Sequence, residues 1–216
     1  GVYLSSGTWS LLGTELTDPI TTEESRRCNF TNEGGYQYRF RYLKNIMGLW
    51  MLQSIRREAG PDLSFNALER AAREEEGFPS RVDVNHSCFL APDNMGEAVR
   101  ALCRQTGQPV PATLGELASC VYHSLAESYA ASVKELSVLT GKRYTAVNVV
   151  GGGSRDGYLN QLTANATGLP VYAGPTEGTA LGNLIVQMLA AGEFPDLAAA
   201  RKAIRHSFEI KEVFPC

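Results

Sequence analysis

The sequence lacks the patterns that mark several large classes of protein. No apolar stretch approaches the roughly 18 residues of a membrane-spanning helix, and no charged segment followed by an apolar one marks a leader. The net charge is −3, and no long basic run occurs. Such a charge balance argues against a nucleic-acid groove or a membrane surface as the main binding partner. We therefore expect neither nucleic acid nor a membrane among the partners.

Cysteine is scarce and shows no metal-binding pattern. The odd number of scattered cysteines suggests a reducing compartment, and we expect the cytoplasm. Cys103 and Cys120 lie on consecutive predicted helices, where they either meet as a pair or remain buried free thiols. No two cysteines have the C-x-x-C spacing of zinc sites, so we expect no metal site; the five are Cys28, Cys88, Cys103, Cys120 and Cys216.

Two common nucleotide-binding signatures are also missing, although a glycine turn is present. The apolar run of residues 147–150 ends at Gly151, Gly152 and Gly153, and a helical pattern follows. No Gly-Lys-Ser/Thr follows as in a Walker loop, and the third glycine lacks the spacing of the dinucleotide fingerprint. Glycine allows φ > 0 and close approach of a ligand, and a following helix start favours anionic or polar ligands. The turn is therefore either a nucleotide site or a plain connection between a strand and a helix.

The composition is that of a globular chain with one large domain or two small ones. The 216 residues are 44% apolar and 20% charged, which is sufficient for a packed core. Alternation and turn residues predict a hairpin over 2–16 and strands over 30–42, 144–150 and 170–173. The segment 19–28 is predicted to be a loop.

Helical spacing and capping residues predict helices over most of the remaining chain. The expected order, strands first and then strands alternating with helices, indicates a single α/β domain. The capping residues expected at helix starts are Ser64, Asp93, Thr113 (in a capping box) and Asp196. The predicted helices cover residues 44–59, 65–76, 95–106, 113–140, 157–167, 176–191 and 197–206.

Two further segments carry side chains suited to a nucleotide or a sugar. Gly7 frees the backbone at the tip of the first hairpin, where Thr8 and Ser10 add hydroxyls that can hold phosphate oxygens, although most such turns are only turns. Asn45 and Gln53 lie about two helical turns apart on one face of the helix predicted over 44–59. Each amide is either a donor to a sugar hydroxyl or phosphate, or a helix cap or solvated side chain.

Taken together, these segments resemble the FGGY carbohydrate kinases. Residues 5–13 resemble the phosphate-binding hairpin of that family. Residues 30–35 with 43–50 are similar to the members that phosphorylate L-rhamnulose. Residues 149–154, 159–164 and 173–183 resemble the adenosine motif and its downstream helices. The likeness runs in order along the chain, from residue 1 to about residue 215.

The resemblance implies an actin-like ATPase (ribonuclease H-like) domain, a mixed sheet flanked by helices. Residues 1–216 would form the C-terminal half of a two-domain kinase that uses ATP, Mg²⁺ and a ketose. Thr8 would then contact the β- and γ-phosphates, Gly151, Gly152 and Gln53 would surround the nucleotide, and Asn45 would lie near the ketose or its transferred phosphate.

The expected activity is phosphorylation of L-rhamnulose to L-rhamnulose 1-phosphate. Two alternatives remain open at this point. One is a related kinase for xylulose, fuculose or glycerol. The other is a non-enzymatic actin-like module that binds nucleotide, since a fold by itself does not determine function.

The catalytic base of the resembled family has no counterpart in this sequence. The family uses an aspartate in a His-Asp-Thr motif upstream of the hairpin, whereas His86, His123 and His206 each precede a serine. We therefore expect the base, the N-terminal sugar-binding domain and the first strand of this domain to lie before Gly1. The strand over 2–10 would then present an unpaired edge, and this chain alone would be inactive.

Overall fold

A seven-stranded mixed sheet organises the computed structural model, which describes residues 1–216. The strand order across the sheet is β3-β4-β2-β1-β5-β6-β7. The pairs β1–β5 and β5–β6 are parallel, and all other neighbours are antiparallel. The strands are β1 (Val2–Ser6), β2 (Trp9–Leu16), β3 (Phe30–Gly34), β4 (Phe40–Met47), β5 (Val147–Val150), β6 (Val171–Ala173) and β7 (Lys211–Val213).

Eight helices accompany the sheet, and they bury it unequally. A core cluster of 39 buried residues joins the sheet to the helices α2 to α6, whereas α7 and α8 each bury one residue, Ile185 and Ala200. No helix combines the length and the apolar character needed to cross a membrane. The helices are α1 (Glu23–Arg27), α2 (Trp50–Ala59), α3 (Phe65–Glu74), α4 (Met95–Gln105), α5 (Leu114–Thr140), α6 (Gly157–Thr167), α7 (Gly178–Ala190) and α8 (Leu197–Ser207).

Three of the four expected helix caps are confirmed, and one is wrong by a residue. The cap of α4 is Asn94, not Asp93, because the Asn94 Oδ1 accepts from the Glu97 N–H at 2.7 Å. The Glu58 carboxylate also accepts from the first N–H groups of α4, so a side chain from α2 helps to set this start. The confirmed caps are Ser64, Thr113 with its full capping box, and Asp196.

The predicted start of the helix over 44–59 is six residues too early. Residues 44–47 continue β4, and α2 begins only at Trp50. The apolar residues of this segment fit both periods, and pairing with β2, in which Met47 lies opposite Trp9, decides for the strand. Asn45 and Gln53 therefore do not share a helix face: Asn45 lies on β4 and Gln53 on α2.

Two other expectations are wrong, one strand was not expected, and the open alternative for Cys103 and Cys120 is decided. The strand β1 has β2 on one side and β5 on the other, so the unpaired edge expected for residues 2–10 is wrong. The segment 19–28 contains the short helix α1, and β7 closes the sheet beyond β6 without having been predicted. Cys103 and Cys120 are buried free thiols, and burial raises the pKa of Cys120 to about 12.

Candidate nucleotide site

The hairpin tip and the glycine turn lie at the same edge of the sheet. Because β1 and β5 are parallel neighbours, with Ser5 opposite Val150, both strands end on one side. The two turns are in contact: a Cβ added at Gly151 would lie 2.6 Å from the Ser6 carbonyl oxygen. The carboxyl edge of parallel strands is where open α/β sheets bind ligands.

The three glycines of the turn are glycines for different physical reasons. Gly151 has φ of 86°, a conformation that other residues rarely adopt. At Gly153, a Cβ would overlap the Ser6 hydroxyl and approach the Ser6 Cβ to 2.6 Å. At Gly152, no atom lies within 4 Å of an added Cβ. Gly151 and Gly153 thus allow the turn to pack on β1, whereas Gly152 leaves an open space at the sheet edge.

Hydrogen bonds within the glycine turn and to α5 hold its shape. The Ser154 hydroxyl donates to the Gly151 carbonyl at 2.7 Å. The Asp156 carboxylate caps α6 by accepting from the Leu159 N–H at 2.9 Å, and it accepts from the Tyr122 hydroxyl of α5 at 2.9 Å. Burial raises the pKa of Asp156. The space above Gly152 is therefore bounded by a turn whose ends are fixed.

The hairpin tip is held through its backbone, and its threonine side chain is left exposed. The Leu49 N–H donates to the Gly7 carbonyl at 2.9 Å, and the Trp50 N–H donates to the Thr8 carbonyl at 3.1 Å. The beginning of α2 is thereby attached to the tip. Thr8 itself is exposed, so its hydroxyl is available to a ligand at this edge.

Gln53 lies one helical turn after Leu49, on α2. Its N–H donates to the carbonyl of Leu49 at 2.7 Å, and Leu49 is itself bonded to the tip. The side chain of Gln53 is half-buried. The structure therefore brings Thr8, Gly151 and Gly152 to one edge of the sheet, and Gln53 lies on the first turn of the helix that is bonded to the tip.

Asn45 lies near the carboxyl end of β4, next to the hairpin. Its side chain is exposed, and it lies opposite Leu11 in the sheet. With Trp9, which is 47% exposed, it lines a cavity of about 820 Å³ between β4, α5 and the loop around Asn85. The Asn85 side chain accepts from the Met47 N–H at 3.1 Å. Asn45 thus belongs to a polar cavity next to the hairpin rather than to the glycine turn.

Sequence reasoning missed two residues that shape this edge. A Cβ at Gly48 would lie 2.7 Å from the Gly7 carbonyl oxygen and 2.8 Å from the Ser10 nitrogen, so only glycine lets α2 dock on the tip. The sequence did contain a signal for Gly48, a glycine at the point where the spacing of apolar residues changes from that of a strand to that of a helix. The second residue is Tyr129, whose hydroxyl lies 2.7 Å from the Ser10 hydroxyl; nothing in the pattern of a long helix distinguishes it from other core positions.

Comparison with known proteins identifies the family of this chain. The family model described as "FGGY family of carbohydrate kinases, C-terminal domain" matches residues 2–191. Rhamnulokinase of Bacillus subtilis is 46% identical over 213 residues, which are 99% of this chain and 44% of the relative. Rhamnulokinase of Halalkalibacterium halodurans is 48% identical over 210 residues, 97% of this chain and 45% of the relative. The chain thus spans somewhat less than half the length of the curated relatives it matches.

A solved structure supports the same conclusion for the fold. The crystal structure of gluconate kinase from Lactobacillus acidophilus matches 100% of this chain and 43% of that chain, with a TM-score of 0.70 and 15% identity. Likeness at this level of identity concerns the fold alone. The chain has the actin-like ATPase fold, and it belongs to the FGGY family of carbohydrate kinases, whose C-terminal domain it matches.

Proposed function

We propose that the protein containing this chain is an ATP-dependent kinase that phosphorylates L-rhamnulose at its primary hydroxyl, giving L-rhamnulose 1-phosphate in rhamnose catabolism. The observation that carries the nucleotide-binding role is the contact between the hairpin tip and the glycine turn at one sheet edge. The choice of sugar rests on relatives named rhamnulokinase that are 46% and 48% identical.

In this proposal, the two turns bind opposite ends of ATP. The Thr8 hydroxyl and the tip N–H groups hold the β- and γ-phosphates, because such a turn concentrates donors on an anion. Gly151 and Gly152 admit the adenosine, with Gln53 as a further contact to the nucleotide. Asn45 lies near the ketose or its transferred phosphate, which is consistent with its exposed position beside Trp9 in a polar cavity.

We also propose that residues 1–216 are the nucleotide-binding half of a two-domain chain. The sugar-binding half and the aspartate that accepts the hydroxyl proton would lie upstream. The length of the relatives supports that assignment, because this chain covers 44% and 45% of two of them. The sugar would then bind between the two halves.

We propose that Mg²⁺ binds together with ATP, and not at a separate metal site formed by this chain. No group of three or more His, Cys, Asp or Glu side chains is arranged to hold a metal ion. Mg²⁺ commonly keeps several waters and binds through phosphate oxygens with one or two carboxylates. We further propose a cytoplasmic location, where the buried thiols Cys103 and Cys120 remain reduced.

The test is turnover by the full-length protein with ATP and a panel of sugars. We expect L-rhamnulose to be the preferred substrate in a coupled assay over xylulose, fuculose and glycerol. A marked preference for another sugar would overturn the substrate but leave the kinase class. ATP binding without phosphorylation of any sugar would favour a non-enzymatic actin-like module.

A further inference from the structure

We infer that Tyr129 is a positioning residue that aligns the hairpin tip with the glycine turn for phosphoryl transfer. Tyr129 lies on α5, away from the exposed surface of both turns, and it acts through Ser10, which lies opposite Ser6 across the hairpin. The inference rests on the proposed kinase function. It deepens that proposal by identifying what holds the two ends of the nucleotide site in register.

The phenol of Tyr129 is bonded to the second strand of the first hairpin. Tyr129 is completely buried, and its hydroxyl lies 2.7 Å from the Ser10 Oγ at the start of β2. Burial raises the pKa of Tyr129 to about 12, with Ser10 and Ser6 opposing the rise. Ser6, at the end of β1, is 1% exposed, and its Oγ has no hydrogen-bond partner. The phenol is therefore bonded to Ser10 alone, and Ser10 lies opposite Ser6 across the hairpin that carries Gly7 and Thr8.

Each of these serines is also the contact point of another turn. A Cβ at Gly153 would overlap the Ser6 hydroxyl, so the glycine turn rests directly on Ser6. A Cβ at Gly48 would lie 2.8 Å from the Ser10 Oγ, so the turn that leads into α2 rests on Ser10. The hairpin tip, the glycine turn and the start of α2 thus converge on three buried hydroxyls.

Tyr129 attaches this cluster to the buried helix α5. The helix α5 spans 27 residues and buries 15 side chains or glycines along its length. Loss of the phenol hydroxyl would let the serine at the tip move while the fold remains. Catalysis of phosphoryl transfer depends mainly on positioning and electrostatics, and a misplacement of about 1 Å can cost about 100-fold in rate.

The test compares Tyr129→Phe with Tyr42→Phe in the full-length kinase. Tyr42 is an equally buried tyrosine whose hydroxyl lies 2.6 Å from the Ser25 Oγ, on β4 opposite Thr14 rather than at the tip. Each variant loses one buried tyrosine–serine hydrogen bond. We expect similar decreases in Tm for both. Only Tyr129→Phe should lower kcat, by about 10- to 100-fold, while the Kd for ATP changes by less than about twofold.

Ser10→Ala provides a second route to the same measurement. It removes the partner of the phenol from the tip side, so it should reproduce the loss of kcat even if Tyr129→Phe folds poorly. The double variant should lose less than the product of the single effects, because both changes break the same bond. Normal kcat in Tyr129→Phe, or equal losses in Tyr129→Phe and Tyr42→Phe, would overturn the inference. An inactive wild-type protein would overturn the proposed function itself.

Discussion

The hairpin tip and the glycine turn lie side by side, yet the proposed nucleotide site would use them in opposite ways. At the tip, the exposed hydroxyl of Thr8 is offered to a ligand while the backbone carbonyls are bonded to α2. At the glycine turn, the useful property is empty space, since no atom lies within 4 Å of a Cβ at Gly152. The function of the tip should therefore be lost by removing atoms, and that of the glycine turn by adding them.

The largest expected effect comes from separating both turns from the rest of the proposed kinase. Residues 1–216 alone should show no measurable phosphorylation of L-rhamnulose. Absence of the general base alone costs about 10²–10⁴-fold, and the missing lobe removes substrate positioning as well. A coupled assay on the purified chain, with a cooperative thermal transition as proof of folding, makes the test. Turnover by the folded chain would show that it holds a base of its own.

Removing the hydroxyl at the tip is expected to have the next largest effect. Thr8→Ala in the full-length protein should lower kcat by roughly 100-fold, as loss of a donor to developing charge does in other enzymes. ATP affinity should fall much less, because the adenosine contacts remain. Thr8→Ser keeps the hydroxyl and is the matched control. If Thr8→Ala turns over normally, the tip does not hold the phosphates through this side chain.

Adding a methyl group to the packed side of the glycine turn should affect stability. Gly153→Ala should reduce the free energy of unfolding by about 1–3 kcal/mol, because its Cβ overlaps the Ser6 hydroxyl. Gly152→Ala should leave stability nearly unchanged, since its Cβ enters open space. Chemical denaturation of both variants measures the difference. Equal stabilities would contradict the assignment of Gly153 to packing and Gly152 to the ligand side.

Local signals accounted for the parts of the fold that local interactions determine. The capping box at Thr113 and the helix over 157–167 could be read directly because caps and apolar spacing lie within one segment. The boundary between β4 and α2 could not, because pairing with β2 determines it. The unpaired edge expected at β1 was wrong for the same reason: its second neighbour, β5, is distant in sequence.

The residues of the candidate site also divide into those that a local pattern predicts and those that depend on distant contacts. Thr8, Gly151 and Gly152 could be identified because each lies in a short pattern, a hydroxyl beside a hairpin glycine or three glycines directly after an apolar run. The expected position of Asn45 and Gln53 on one helix face was wrong, because Asn45 lies on β4. Tyr129 gave no signal, since its importance depends on a hydrogen bond to a serine 119 positions away. Contacts of that kind become visible only once the chain has folded.

The most direct test of a shared nucleotide site is the affinity of Gly152→Val for ATP. The variant should be made in the full-length protein and titrated beside Gly77→Val, an exposed glycine that also has no atom within 4 Å of an added Cβ. We expect both variants to keep the wild-type Tm. Gly152→Val should bind ATP about 5- to 150-fold more weakly, the equivalent of about 1–3 kcal/mol of steric conflict, and Gly77→Val should bind it normally. Unchanged ATP affinity in folded Gly152→Val would contradict the assignment of the glycine turn to the nucleotide.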